Sequence, residues 1–247
     1  MVFAAAALLA ATVPLARADS HAVMAEKASS TPSCILIGFV GGFVRHDNPH
    51  HGPVQFAQRI QTWLPPDAHL EIFENHRRKA AYQTIVHLLD ANHDGVLSAE
   101  EKSSARIILF GQSWGASAVV MLARDLNREK IPVLLTVQID SVAKLGENDS
   151  VIPENVAEAA NFYQPHGLVH GRAVIRAADS SKTQILGNFR FDYKQSPVHC
   201  KGYPWTDRLF TPSHMQSECD PKVWQQVEDL VRQCVEKDKP RSLATAE

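Results

Sequence analysis

Five consecutive residues near the middle of the 247-residue chain carry its clearest chemical pattern, Gly111-Gln112-Ser113-Trp114-Gly115. The apolar run "ARIILF" precedes them directly, and the small-residue run "ASAVVMLARDLNR" follows. This order predicts a strand, a sharp turn and a helix, in which the two glycines leave room for a strained turn that presents the serine hydroxyl. A serine presented in this way attacks carbonyl carbons. Ser113 is therefore the candidate nucleophile.

On this motif and its setting the chain resembles the α/β-hydrolase superfamily, specifically its lipase-like and esterase-like members. The resemblance extends from "CILIGFVGG" to the last predicted helix. It implies hydrolysis of carboxylic esters, with a small-molecule or lipid ester as substrate. It also implies a triad in the chain order serine, acid, histidine. A thioesterase or an amidase would use the same residues.

The acid of such a triad orients the histidine that activates the serine. Asp140 ends the apolar strand "VLLTVQID", so its carboxylate should emerge at the same sheet edge as Ser113. Asp179, directly after "RAVIRAA", is the alternative, because the acid could follow the next strand instead. We expect Asp140, whose strand is the clearer of the two.

The base must come from the histidines that follow the acid, which are His166, His170, His199 and His214. His214 lies just before the final predicted helix, where the superfamily has its histidine. His199, next to Cys200, is the alternative. We expect His214 to be the base.

Hydrolysis also requires two backbone N–H groups that stabilise the negative oxygen of the intermediate. One is expected from Trp114, the residue after the nucleophile. The other is expected from "GFVGGFV", where the superfamily often has a His-Gly pair. Taking Ile37-Gly38 as the counterpart of that pair makes Phe39 the expected second donor.

Residues 90–101, "DANHDGVLSAEE", match the twelve-residue template of a calcium-binding loop. Gly95 takes the sixth position, where the template turns sharply. The expected Ca²⁺ ligands at positions 1, 3, 5, 7, 9 and 12 are Asp90, Asn92, Asp94, the Val96 carbonyl, Ser98 and Glu101. Since no second copy of the loop is visible, we expect one structural site of the EF-hand type rather than a calcium sensor.

Part of this loop has a local explanation as well. Ser98 and Glu101 have the spacing of a capping box at the start of a short helix, and "NHDG" is an ordinary turn sequence. These explain Gly95, Ser98 and Glu101, but not both Asp90 and Asn92. The loop also suggests a competing function for the whole chain, a non-catalytic calcium-binding protein on a hydrolase scaffold.

A polar segment, "RHDNPHHG", follows the first predicted strand and contains His46, Asp47, His50 and His51. Pro49 argues against the helix that would bring His46 and His50 onto one face, and no known metal-ligand spacing is present. We expect this segment to border the mouth of the active site rather than to bind a metal.

The elements that must position these residues alternate along the chain. Apolar strand-like runs such as "CILIGFV", "LEIFEN", "ARIILF" and "VLLTVQID" are separated by helical patterns, and "DPKVWQQVEDLVRQC" reads as the last helix. A helix is also expected near "NVAEAANFY", with later strands at "RAVIRAA" and "ILGNFRFDY". Alternation of this kind predicts an α/β fold, a mostly parallel central sheet with helices on both faces.

Composition limits the partners of the protein. With 25 Lys and Arg against 27 Asp and Glu, the formal net charge is −2 and no long basic run is present. This gives no electrostatic basis for binding nucleic acid. Apart from the first residues, no segment is apolar enough to suggest a stable membrane span.

The first residues suggest export. "MVFAAAALLAATVPLARADS" is an apolar stretch that ends in Ala16-Arg17-Ala18, a typical signal-peptidase site. The expected organisation is a signal peptide at 1–18, a flexible segment at 19–33, a hydrolase domain at 34–236 and a flexible tail at 237–247. The protein would then be secreted or periplasmic, where disulfides persist. Among its four cysteines, Cys200 and Cys219 are the expected pair, whereas Cys34 and Cys234 are expected to be buried thiols.

Overall fold

The computed structural model describes residues 31–203 and 211–237 of the chain. The predicted signal peptide at 1–18 lies outside the described residues, as do most of the segment 19–33 and nearly all of the tail 237–247. Within the described ranges, no helix is long and apolar enough to cross a bilayer.

Strands and helices alternate over the first half of the fold. The described strands are β1 (Ile35–Val40), β2 (His69–Glu74), β3 (Ile107–Gln112), β4 (Val133–Ile139), β5 (Val151–Ile152), β6 (Val156–Tyr163), β7 (Arg176–Ala177) and β8 (Gln184–Arg190). The described helices are α1 (Gly52–Ile60), α2 (Arg78–Leu89), α3 (Ala99–Ser103), α4 (Trp114–Arg128), α5 (Pro212–Cys219) and α6 (Pro221–Lys237).

Six of these strands form one sheet in the order β2-β1-β3-β4-β6-β8, and every neighbouring pair is parallel. The short strands β5 and β7 pair with each other apart from it. Because parallel strands need crossover connections, this sheet is covered by helices, as the sequence predicted. The predicted fold class is confirmed.

The hydrophobic core has one layer on each face of the sheet. Successive side chains of β1 alternate between the layers, with Ile35, Ile37 and Phe39 on one side and Leu36 on the other. Helices α2 and α4 cover the first layer, and α1 and α6 cover the second. This double covering explains why the central strands read as continuous apolar runs.

The helix predicted near "NVAEAANFY" was wrong, because this segment is strand β6. The strand lies between β4 and β8, and its residues Ala159, Ala160 and Phe162 are fully or almost fully buried. A strand buried on both faces has no alternation of polar and apolar residues to reveal it, and its alanines favour a helix in isolation. The strand predicted at "RAVIRAA" is only the two-residue β7.

Candidate active site

Ser113 lies in a sharp turn between β3 and α4, with φ 57° and ψ −124°. The turn needs both flanking glycines. A Cβ at Gly115 would lie 2.3 Å from the carbonyl oxygen of Phe39, and one at Gly111 would lie 2.6 Å from the carbonyl of Gly115. The Ser113 N–H donates to the carbonyl of Ile139 at 3.0 Å, which ties the turn to the end of β4. The serine is thereby fixed at the carboxyl edge of the sheet.

His214, in helix α5, contacts both residues that the sequence assigned to it. Its Nε2 lies 2.9 Å from Ser113 Oγ, and its Nδ1 lies 2.7 Å from Asp140 Oδ2. Gln112 Nε2 is 3.2 Å from the same Nε2. Since a carboxylate only accepts, Nδ1 carries the proton, and Nε2 accepts from Ser113 and Gln112. This tautomer leaves Nε2 ready to take the serine proton.

Asp140 directly follows β4, and its side chain is fully buried. A buried carboxylate is costly unless hydrogen bonds satisfy it. Its Oδ1 accepts from the N–H groups of Gly171 (2.6 Å) and Gln164 (3.3 Å). Its Oδ2 accepts from Gln164 Nε2 (3.0 Å), and Ser217 Oγ, which donates to the His214 carbonyl at 2.7 Å, lies 3.3 Å from it. These donors hold the carboxylate towards His214, and sequence reasoning did not find them.

The alternative acid and bases lie apart from Ser113. Asp179 Oδ1 accepts from the backbone and side chain of Ser181, and this side-chain hydrogen bond lowers the pKa of Asp179. His166 pairs with Asp192 at 2.9 Å. His170 contacts the carbonyl of Gly167, and His199 is exposed. Among the described candidates, His214 is therefore the histidine that contacts Ser113, and Asp140 is the acid that contacts His214.

The structure brings Trp114 to Ser113 but not Phe39. Trp114 begins α4, so its N–H is among the first four of the helix, which have no partner within it. Phe39 lies inside β1, level with Gly111 in the sheet register. The strand continues to Val40, beyond the point that the Ile37-Gly38 comparison predicted. We therefore correct the position of the second donor segment.

Gly41, the residue directly after β1, lies next to Ser113. A Cβ placed on Gly41 would lie 2.8 Å from the Cβ of Ser113. Gly41 starts a turn in which Val44 N–H donates to its carbonyl, and Gly42 has φ 48°. Asn75 Nδ2 donates to the Gly42 carbonyl at 2.6 Å. The turn and His214 line the same cleft.

A cleft of about 780 Å³ opens at Ser113 and His214. One part of its wall is apolar and includes Phe43, Trp114, Val142 and Val169. Phe43 is almost fully exposed and packs edge-on against Trp114, with ring centroids 5.4 Å apart. The other part is polar, and its members come from the "RHDNPHHG" segment and α5: Arg45, Asn48, His51 and Glu218. Of the four residues named in this segment, His51 lines the cleft, whereas His46, Asp47 and His50 do not.

The disulfide predicted from the sequence joins Cys200 to Cys219, with 5.6 Å between their Cα atoms. Cys219 is the last residue of α5, the helix that carries His214. Cys34 and Cys234 are both buried, as expected.

The loop at 90–101 is organised by hydrogen bonds from its own backbone. Both carboxylate oxygens of Asp90 accept N–H groups, from Asp94 and Gly95, and Gly95 has φ 81°. Ser98 and Glu101 form the capping box of α3. Hydrogen bonding, first from Ser98 N–H, lowers the pKa of Glu101. The capping prediction is confirmed.

The calcium prediction concerns the same loop. The residues at its ligand positions supply oxygen atoms, which is the donor chemistry that Ca²⁺ requires. Over residues 31–203 and 211–237, however, no three His, Cys, Asp or Glu side chains lie together as a metal-binding group. The calcium site therefore remains a prediction.

No family model and no curated protein matches the sequence. Several solved structures superpose on this chain, among them human thioesterase 2. It has 9% sequence identity and a TM-score of 0.44, and the match covers 85% of this chain and 99% of that one. A dienelactone hydrolase-like promiscuous phosphotriesterase from metagenomic libraries has 12% identity and a TM-score of 0.42, covering 84% and 87%. An acetyl xylan esterase has 12% identity and a TM-score of 0.39, covering 83% and 100%. At such low similarity, we argue function from the geometry of the site alone.

Proposed function

We propose that this protein is a serine hydrolase that cleaves carboxylic esters through an acyl-enzyme intermediate. The observation that carries the proposal is the continuous contact from Ser113 Oγ to His214 Nε2, at 2.9 Å, and from His214 Nδ1 to Asp140, at 2.7 Å. A serine hydroxyl is a weak nucleophile until a base takes its proton, and the base needs an acid to hold its tautomer. All three residues follow or contact the carboxyl ends of neighbouring strands.

In the first half of the reaction, Ser113 Oγ attacks the ester carbonyl carbon while His214 Nε2 takes the serine proton. The negative charge on the carbonyl oxygen is stabilised by the Trp114 N–H and by a backbone N–H of the Gly41–Gly42 turn. When the intermediate collapses, the bond to the alcohol breaks and His214 returns its proton to the leaving oxygen. Ser113 is left acylated.

In the second half, a water molecule attacks the acyl carbon and gives its proton to His214. The carboxylic acid leaves, and Ser113 Oγ recovers its proton from the histidine. Asp140 stays ionised throughout and stabilises the imidazolium that forms in each half. Thioesters and amides would pass through the same steps, so a panel of matched esters, thioesters and amides distinguishes the three activities.

A fluorophosphonate probe tests the nucleophile directly, because it reacts covalently with activated serines. We expect labelling of the folded protein and its complete loss in Ser113→Ala. Ser103→Ala, which removes an exposed serine hydroxyl, is the matched control and should label like the wild type. Folded wild-type protein that does not react would favour the alternative, a non-catalytic calcium-binding protein.

Two further proposals follow from the sequence. The loop at 90–101 binds one Ca²⁺ through the six predicted positions and stabilises the connection between α2 and β3. The oxygen atoms at these positions and the turn at Gly95 support this role. The protein is also exported to an oxidising compartment, which the Cys200–Cys219 disulfide supports.

A further inference from the structure

A second histidine–carboxylate pair lies in the wall of the Ser113 cleft. His51 Nδ1 is 2.7 Å from Glu218 Oε1, and both side chains are more than nine-tenths buried. Gly52 N–H donates to the same carboxylate oxygen at 3.2 Å. These contacts join the start of α1 to α5, and the steps proposed for Ser113 make no use of them.

The surroundings of this pair fix the imidazole ring. Glu218 lies four residues after His214, so the two project from the same side of α5. Trp224 Nε1 donates to the backbone carbonyl of Glu218 at 2.5 Å, and Tyr203 packs edge-on against His51 with ring centroids 5.4 Å apart. His51 is therefore held in one orientation beside the catalytic histidine.

The second nitrogen of the His51 imidazole, Nε2, has no role in these contacts. The described residues give His51 Nε2 no hydrogen-bond partner, and it is not among their fully enclosed unpaired atoms. In a neutral imidazole whose Nδ1 donates to Glu218, Nε2 is the acceptor. Contact between α1 and α5 accounts for Nδ1, but it does not account for the place of His51 in the lining of the cleft.

We propose that His51 Nε2 accepts a hydrogen bond from a hydroxyl group of the substrate, so that the preferred substrates are hydroxylated esters. This proposal rests on the proposed ester hydrolase function. The donor has the same chemistry whether the hydroxyl belongs to the alcohol part or to the acyl part of the ester. A substrate without it leaves a desolvated acceptor unsatisfied, which is the usual basis of strong discrimination. The apolar wall at Trp114, Val142 and Val169 faces the remainder of the substrate.

Two matched pairs of esters test the proposal. Propyl acetate and 2,3-dihydroxypropyl acetate differ in the alcohol part, whereas ethyl propanoate and ethyl 2-hydroxypropanoate differ in the acyl part. The variant is His51→Asn, whose amide can donate to Glu218 in place of Nδ1 but carries no group at the position of Nε2. The control is His50→Asn, the same substitution at the adjacent exposed histidine. The measured quantity is the ratio of kcat/KM between the members of each pair.

In one of the pairs we expect His51→Asn to reduce the preference for the hydroxylated ester by roughly threefold to tenfold, the range of a single neutral hydrogen bond. His50→Asn should keep the wild-type ratio. Because the same kcat/KM ratio is compared between wild type and variant, the difference in intrinsic reactivity between the two esters cancels. The responding pair identifies the part of the substrate that carries the hydroxyl.

Unchanged ratios in both pairs would overturn the proposal. So would an equal loss of rate on both members, the result expected of a contact that only joins α1 to α5. Fluorophosphonate labelling separates this outcome from failure of the proposed function. Wild-type protein that does not label at Ser113 overturns both proposals, whereas labelling with unchanged ester ratios overturns only the role of His51.

Discussion

Asp140 combines full burial with three N–H hydrogen-bond donors and a backbone φ of 44°. All three donor groups belong to Gln164 and Gly171, in the segment that follows β6. These hydrogen bonds leave His214 as the remaining partner of the Asp140 carboxylate. Because a carboxylate only accepts, it holds the histidine in the tautomer with the proton on Nδ1.

Asp140→Asn should therefore lower kcat/KM by roughly 10³- to 10⁴-fold, because the asparagine amide can donate to Nδ1 and favour the tautomer that cannot accept the serine proton. The matched control is Asp179→Asn, which changes the other candidate carboxylate and should leave activity unchanged. Rates on one activated ester are sufficient for this comparison. A large loss in Asp179→Asn, with activity retained in Asp140→Asn, would reverse the assignment of the acid.

At the scale of residues, the sequence identified side chains more successfully than backbone groups. Ser113, Asp140 and His214 could be proposed because residue type, strand ends and chain order are visible in a sequence. The segment proposed for the second N–H donor was not found, because comparing Ile37-Gly38 with a His-Gly pair placed the donor at Phe39, inside the strand predicted at "CILIGFV". The donors around Asp140 could not be found either, since Gln164 and Gly171 lie in a segment without a regular pattern.

At the scale of elements, the packing of α4 against β1 restricts side-chain size most strongly. The helix begins so close to the strand that Gly115 has no room for a methyl group, as the 2.3 Å approach to the Phe39 carbonyl indicates. Main-chain atoms of a central strand cannot move aside as a side chain can. The position of Ser113 therefore depends on this glycine.

Gly115→Ala should destabilise the protein by about 1–3 kcal/mol or more, the usual cost of overpacking, and should slow fluorophosphonate labelling. Thermal melting measures the first effect. Gly187→Ala is the control, because its Cβ would meet the ring of Phe189, which is only partly buried and can turn away. Equal melting temperatures for Gly115→Ala and the wild type would contradict the packing argument.

The calcium loop can be tested as an element by its effect on stability. Calcium at about 10 mM should stabilise the protein by about 1–3 kcal/mol if the site has the affinity of extracellular modules. The combined change Asp90→Ala and Glu101→Ala should remove this rise in melting temperature, whereas Glu100→Ala, an exposed neighbour outside the ligand positions, should retain it. A wild-type melting curve that does not respond to calcium would reject the site.

The elements themselves were predictable where their patterns are strong. Strands β1, β3 and β4 and helices α4 and α6 follow directly from apolar runs and helical periodicity. The strand β6 was missed because its small residues, including Ala159 and Ala160, favour a helix locally and become a strand only between β4 and β8. The position of β6 between its neighbouring strands is not visible in the local sequence.

At the scale of the whole molecule, the Cys200–Cys219 disulfide closes a segment of 19 residues that ends at α5. A cross-link over a loop of this size stabilises a protein by about 3 kcal/mol, chiefly by restricting the unfolded chain. Because α5 carries His214 and Glu218, the bond also secures two members of the cleft. Loss of the disulfide should therefore affect stability and reactivity together.

Replacing both cysteines, Cys200→Ser with Cys219→Ser, should lower the melting temperature and the rate of fluorophosphonate labelling. A thiol reductant should have the same two effects on the wild type and neither effect on the double variant. If the reductant lowered the melting temperature of both proteins equally, the stabilisation would have to come from elsewhere.

The backbone of Ser113 has a consequence for how the protein can change by mutation. A non-glycine residue at φ 57° and ψ −124° costs on the order of 1–3 kcal/mol, which glycine would largely avoid. Selection for stability alone would therefore favour glycine at position 113, and only selection for the serine hydroxyl opposes it. Ser113→Gly is therefore expected to gain stability while giving up the proposed chemistry.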